Sequence, residues 1–217
     1  MRKGLVFLLL LGSWMSLGSA VEAGPDPSSH EAFDVWLRAD PARANTFIDL
    51  RGFLAKQGVA EVVPVWQLAR IDHDYAARCG EAFFALPPRE MWPNIVPALR
   101  LVRDEVVAVT GRVEVASSWR SPRNNACIGG ASRSAHMEFR ALDLVAPART
   151  GDRRRLFADL CAMQRRSGRK SRMGLGAYYD PAKLFANLEG RFHIDAHGYR
   201  TWGFDYTGKS NPCPDLG

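Results

Sequence analysis

Residues 191 to 196 read RFHIDA, so that Phe192, Ile194 and Ala196 alternate with Arg191, His193 and Asp195. The two-residue period of a strand sends the two sets to opposite faces, one built for a core and the other carrying charge and an imidazole. A chain with such a strand needs a sheet covered on its apolar side and open on its polar one. The segment Ala141 to Val145 (ALDLV) makes a similar demand: Leu142 and Leu144 face one way, and Asp143 shares the other side with Ala141 and Val145. A carboxylate among apolar neighbours is costly to bury as a charge unless something pairs with it. His136, seven residues earlier across a short turn, could share one cation with it.

His136, Asp143 and His193 together form a set of two histidines and a carboxylate. Three such ligands leave a fourth zinc position open for water, the catalytic rather than the structural pattern. Composition and spacing equally allow a plainer reading, in which His193 is an ordinary partly buried histidine and Asp143 is salt-bridged to an arginine. His197, four residues after His193, suggests an HxxxH pair, but that spacing aligns ligands on a helix and this segment reads as strand and turn. Glu138 makes an HxE resembling zinc deaminases, whose PCxxC partner is missing here. His30, His73 and the Asp72/Asp74 pair read as surface residues.

Apolar spacings of three and four from Glu31 to about Ala69, through Phe33, Trp36, Leu37, Phe47, Leu50, Phe53 and Leu54, predict a small helical subregion. After Pro87, Pro88, Pro93 and Pro97 comes a helix with the face Leu99, Val102, Val106 and Val109, ended by Gly111. Arg112 to Ala116 alternates as a strand, Asp152 to Arg166 as a helix burying Leu156, Phe157, Leu160 and Met163, and short strands follow near Met173 to Tyr179 and Arg191 to Ala196. Interspersed helices and few, short strands point to an α+β fold with a small antiparallel sheet flanked by helices.

The N-terminus has a basic start at Arg2 and Lys3, an apolar run from Leu5 to about Leu17 and the small residues Gly18, Ser19 and Ala20, the layout of a secretory signal peptide. Cleavage is expected after Ala20 or Ala23. The run is short of the roughly 18 to 20 residues of a spanning helix, and no later stretch is long and apolar enough to span. Expected organisation is therefore a signal peptide over 1–23, a helical subregion over 24–95 and a single domain over 96–217. Losing Arg2 and Lys3 takes the formal charge from +6 to +4, or to +5 where Glu22 goes too, so the exported chain stays basic and is suited to anionic surfaces. With export expected and no nucleic-acid motif present, the cell wall is favoured over nucleic acid. Cys79, Cys127, Cys161 and Cys213, an even count in an exported protein with no CxxC spacing, suggest up to two disulfides with three pairings open.

SSWRSPRNNACIGGASRSAHMEFRALDLV at 117–145 resembles the core of the zinc D-Ala-D-Ala carboxypeptidase family of metallopeptidases: an Arg in an aromatic-Arg-Ser turn, a Gly-Gly, then SxHxxGxAxD. MGLGAYY at 173–179 and FHIDAHGYRTWG at 192–203 resemble the family's closing segment. The resemblance implies a hedgehog/DD-peptidase-like fold, with zinc held by His136, Asp143 and His193, a substrate carboxylate gripped by Arg120, and Ser134 shaping the site beside the first ligand. It also implies hydrolysis of peptidoglycan peptides, either as carboxypeptidase or as endopeptidase, while the signal peptide leads us to expect a periplasmic or extracellular protein, and a monomer is expected. Three positions depart from the pattern. Phe139 stands at the usual glycine, Gly190 where several members carry an acidic base three residues before the last zinc histidine, and Arg191 where some carry a histidine. The general base is then Asp195, on the His193 face, or Glu189, with Asp195 alternatively a partner that orients a ligand histidine. A non-catalytic, zinc-stabilised wall-binding module is the alternative to an enzyme.

Overall fold

A computed structural model describes residues 26–180 and 190–216. The expected signal peptide lies outside the described residues, as does Glu189.

The N-terminal part is helical as the spacing predicts. Helix α1 (His30–Arg38) is capped by Ser29 and α2 (Pro41–Lys56) by Asp40, with Pro41 in the first turn where its missing N–H costs nothing. A 3-10 turn, Val65–Ala69, follows. Phe33, Phe47, Ala69 and Phe84 form a small aromatic core with Trp36 and Trp66 against it, whereas Leu50 and Leu54 on α2 join the main core. A short helix, α3 (His73–Cys79), comes next. Helix α4 (Trp92–Leu101) then runs through a π turn at Val102–Val106 into α5 (Val107–Thr110), and its face Leu99, Val102 and Val106 is fully buried.

Strand β1 (Glu114–Ser117) leads by way of α6 (Pro122–Cys127) and a 3-10 turn at Ala135–Glu138 to β2 (Ala141–Val145). Helix α7 (Arg153–Ser167), capped by Asp152, buries Leu156, Phe157, Leu160 and Met163. Strands β3 (Gly174–Ala177), β4 (Phe192–Asp195) and β5 (Arg200–Trp202) complete a five-stranded sheet of order β1-β2-β4-β3-β5. One expectation is corrected: the sheet is mixed, because β5 runs parallel to β3. Both edges of β4 are already taken, by β2 and β3, each antiparallel. The chain reversing out of β4 pairs with the outer edge of β3, and so runs in β3's own direction.

The disulfides are Cys79–Cys127 and Cys161–Cys213, joining α3 to α6 and the C-terminal segment to α7. Among the described residues no helix is long and apolar enough to cross a membrane.

Candidate metal centre

The ladder between β2 and β4 sets Asp143 directly opposite His193. Strand alternation turns both side chains away from the core formed by Leu142, Leu144, Phe192 and Ile194. His136 comes from the 3-10 turn before β2, whose end is Phe139 at φ 53°. That left-handed residue reverses the chain so that the Arg140 N–H returns to the Ala135 carbonyl (2.9 Å), which docks the turn on the strand. The three side chains converge: His136 Nε2 lies 3.1 Å from His193 Nδ1 and 3.3 Å from Asp143 Oδ2, and His193 Nδ1 lies 3.1 Å from Asp143 Oδ1. All three residues are buried.

The outer nitrogens fix the tautomers. His136 Nδ1 donates to the Ser118 carbonyl at 2.5 Å. A carbonyl only accepts, so neutral His136 turns a lone pair on Nε2 inward. His193 Nε2 is 2.9 Å from Asp195 Oδ2, which makes it the donor there and leaves Nδ1 facing the cluster. Two imidazole lone pairs and a carboxylate at this range repel unless a proton or a metal cation lies among them. Four donors held at zinc's usual roughly 2.0 to 2.2 Å stand about 3.3 Å apart, so the observed spacings suit such an ion. Two imidazoles with one carboxylate are also zinc's usual donor types, and each histidine has the outer hydrogen bond that orients a ligand ring.

Burial, and then the charge of Arg120, push the His136 pKa down to about 4. For Asp143 burial acts upward, but its contacts with His136 and His193 prevail and hold it well below the usual carboxylate range. For His193 burial acts downward and is outweighed by hydrogen bonds to Asp143 and Asp195, so its pKa is raised. His193 is thus the more basic of the two imidazoles.

Asp195 is fully buried but stands behind His193, on the side away from the cluster. Arg200 grips both of its oxygens (3.0 and 2.6 Å), and the His197 N–H donates to it at 2.8 Å. Sharing a strand face with His193 thus brings Asp195 to the Nε2 edge of the imidazole, the edge away from Asp143 and His136. Room for this comes from β3: a Cβ on Gly174 would fall 2.7 Å from the Asp195 oxygens and 2.6 Å from Arg200 Nη1, and one on Gly176 2.9 Å from His193 Cβ and Trp202 Cε2. The glycines of MGLGAYY are the sequence signal for this support, legible only once their neighbours are in place.

The cluster forms the floor of a cleft of about 630 Å³. Arg120 lines it, nearly buried, with Nη2 3.2 Å from Asp143 Oδ2. Its pairing is therefore with a candidate ligand inside the cleft and is not a surface salt bridge. Ser134 is in the wall just before His136, as are Arg133, Tyr178 and Trp202. Burial, chiefly, raises the Tyr178 phenol well above its ordinary range and keeps it protonated. His197 and Glu138 are exposed and outside the cluster; His30 and His73 are exposed as expected. Asp72 is corrected: it is 2 % exposed and ion-paired with Arg191, a partner 119 residues away that no local pattern announces.

Residues 78–175 match the Peptidase M15 family. The matched stretch is a little under half of the chain. It contains Arg120, Ser134, His136 and Asp143 and stops short of His193, which the β2/β4 pairing joins to them. No curated protein and no solved structure matches the chain. The Peptidase M15 match and the donor cluster together support a zinc metallopeptidase in general terms.

Proposed function

We propose that the chain is an exported zinc metallopeptidase that hydrolyses peptidoglycan peptides, of D-Ala-D-Ala carboxypeptidase or murein endopeptidase type. The observation that carries this reading is the convergence of His136 Nε2, His193 Nδ1 and the Asp143 carboxylate, with outer hydrogen bonds that leave both imidazoles offering lone pairs to one point at the floor of a cleft. A zinc ion held there would supply an activated water at neutral pH and polarise the scissile carbonyl. Ser118 and Asp195 keep the two rings in register, with Arg200 in turn holding Asp195. Arg120, its guanidinium already braced on Asp143, offers its remaining donors to a substrate carboxylate, for which a planar permanent cation is suited. Ser134 shapes the wall beside it.

With Asp195 engaged behind His193, proton transfer falls to Glu189 in this scheme, and Asp195 is a positioning residue. Glu189→Gln is expected to retain zinc and lose turnover, while Asp195→Asn is expected to weaken zinc retention by about 10 to 100-fold, as loss of an orienting partner does. Two disulfides and a basic surface suit work outside the cytoplasm against an anionic wall.

One observation favours a second reading, a wall-binding module without turnover. Among the described residues lining the cleft the carboxylates are Asp143, itself a donor in the cluster, and Asp205, which is tied to Ser210 and Thr207. Incubating the purified protein with cell-wall fragments, with and without chelator, separates the two. Metal-dependent release of amino acids or peptides, abolished in His136→Ala and Asp143→Ala, supports the peptidase; binding with no product under any metal condition supports the module.

A further inference from the structure

Arg191 is a cation that the scheme above leaves unused. It precedes β4, two residues before His193, and lines the same cleft as Arg120 and the metal cluster. Asp72, just before α3, holds it: one oxygen of Asp72 pairs with Arg191 Nη1, and the other accepts the Tyr75 N–H at 3.1 Å and so caps α3. Helix α3 is itself fastened to α6 by Cys79–Cys127. The guanidinium is therefore held on a rigid support, with its side chain 20 % exposed and that of Asp72 2 % exposed. Arg191 Nε is buried and has no hydrogen-bond partner among the described residues. The guanidinium thus carries more donors than the described residues give it acceptors for.

A buried ion pair is a weak source of stability, since well-packed apolar residues would serve as well. Its value here is geometric, because a pre-oriented guanidinium facing a cleft is ready to bind an anion without reorganising. Arg120, paired with Asp143, and Arg191, paired with Asp72, both line the cleft beside the metal cluster. Two guanidiniums held at separate points, each fixed by its own carboxylate, therefore face the space a substrate would fill.

We propose that Arg191, braced by Asp72, is a specificity-determining residue that binds a second carboxylate of the substrate, so that the favoured substrate is a peptide bearing a side-chain carboxylate in addition to its terminal one. The ligand class rests on the peptidase reading, but the contact is tested by binding, apart from turnover. The probes are acetylated peptides ending in D-alanine with one side-chain carboxylate, free or amidated, placed in turn at each of the two residues before the last. Stopped-flow tryptophan fluorescence of the zinc-supplemented full chain reads their binding before hydrolysis, since Trp202 stands in the cleft wall.

At one of the two positions the free carboxylate is expected to bind about tenfold more tightly than the amide, the effect of one charge-assisted contact. Asp72→Asn combined with Arg191→Gln removes both charges and avoids leaving one buried alone; it should bring the two peptides to equal affinity. Arg191→Lys, which keeps the charge but not the fork, should lose most of the preference. Arg120→Gln should weaken both peptides while keeping their ratio. Equal weakening of both peptides in the Arg191 variants, or no carboxylate preference in the wild type, or no binding of either peptide, overturns the proposal. Binding with preference but without cleavage would overturn the peptidase reading and leave the Arg191 assignment standing.

Discussion

Replacing Phe139 by glycine tests which of two opposed effects rules the turn that delivers His136. Phe139 sits at φ 53°, in the left-handed region where a β-carbon crowds the following carbonyl, and it stands where the resembled family has glycine. Relief of that crowding stabilises by roughly 1 to 2 kcal/mol. Against it, the ring is 0 % exposed and packs in the main core, and removing a buried phenylalanine costs about 3 to 5 kcal/mol. The added freedom of glycine in the unfolded chain costs roughly another 0.4 to 1 kcal/mol. Packing therefore wins, and Phe139→Gly should destabilise by about 2 to 4 kcal/mol, a fall in Tm of roughly 5 to 15 °C for a chain of this size. Differential scanning calorimetry on the metal-free, disulfide-bonded protein measures it. Phe139→Leu, which keeps the strained backbone but most of the apolar contact, should lose less than Phe139→Gly. If Phe139→Gly melts at or above the wild type, or if Phe139→Leu is the worse of the two, the backbone rather than the ring governs this turn and the reasoning is refuted.

Gly176→Ala would push a methyl to 2.9 Å from His193 Cβ and Trp202. Zinc affinity by competition with a chromophoric chelator should drop at least about tenfold, because ligand geometry is lost before the sheet is; an unchanged affinity would mean that Trp202 simply moves aside. Since His193 is raised and His136 lowered to about 4, zinc binding between pH 5 and 7 should displace about one proton, from His193, and affinity should fall about tenfold per pH unit below the His193 pKa. Calorimetry in buffers of differing ionisation enthalpy counts the protons, and two released at pH 6 would contradict the assigned charge states. Each disulfide closes a loop of about fifty residues (separations 48 and 52), worth about 4 kcal/mol in the chain-entropy picture, so reduction should lower the denaturation midpoint strongly, with loss of Cys79–Cys127 also loosening α3, which Asp72 caps and which carries Tyr75 of the cleft wall. Retention of the wild-type urea midpoint after full reduction would show that packing alone holds these walls.

Local pattern was enough for the strands that carry the metal site and for the longer helices, but not for α3, α6 or β5, each too short to show a period. Phe192/Ile194 against His193/Asp195, and Leu142/Leu144 against Asp143, follow from the two-residue alternation, and the helix faces at Leu99–Val106 and Leu156–Met163 from the 3.6-residue repeat. Asp143 and His193 were legible as candidates because a carboxylate and an imidazole on otherwise apolar strands are anomalous in themselves, and His136, in the turn before β2, through its nearness to Asp143 and the family resemblance. What needed the tertiary structure was every relation between residues distant in sequence. The parallel placement of β5 depends on which edges of β4 are already paired, the partnering of four cysteines on where α3, α6, α7 and the C-terminal segment meet, and the Asp72–Arg191 pair on a contact across 119 residues. Asp195 states the distinction within one side chain. Alternation determined its face, but only the arrival of Arg200 and the space left by Gly174 decided that its carboxylate lies behind His193, because a period specifies direction from the backbone and not the partner a charge finds there.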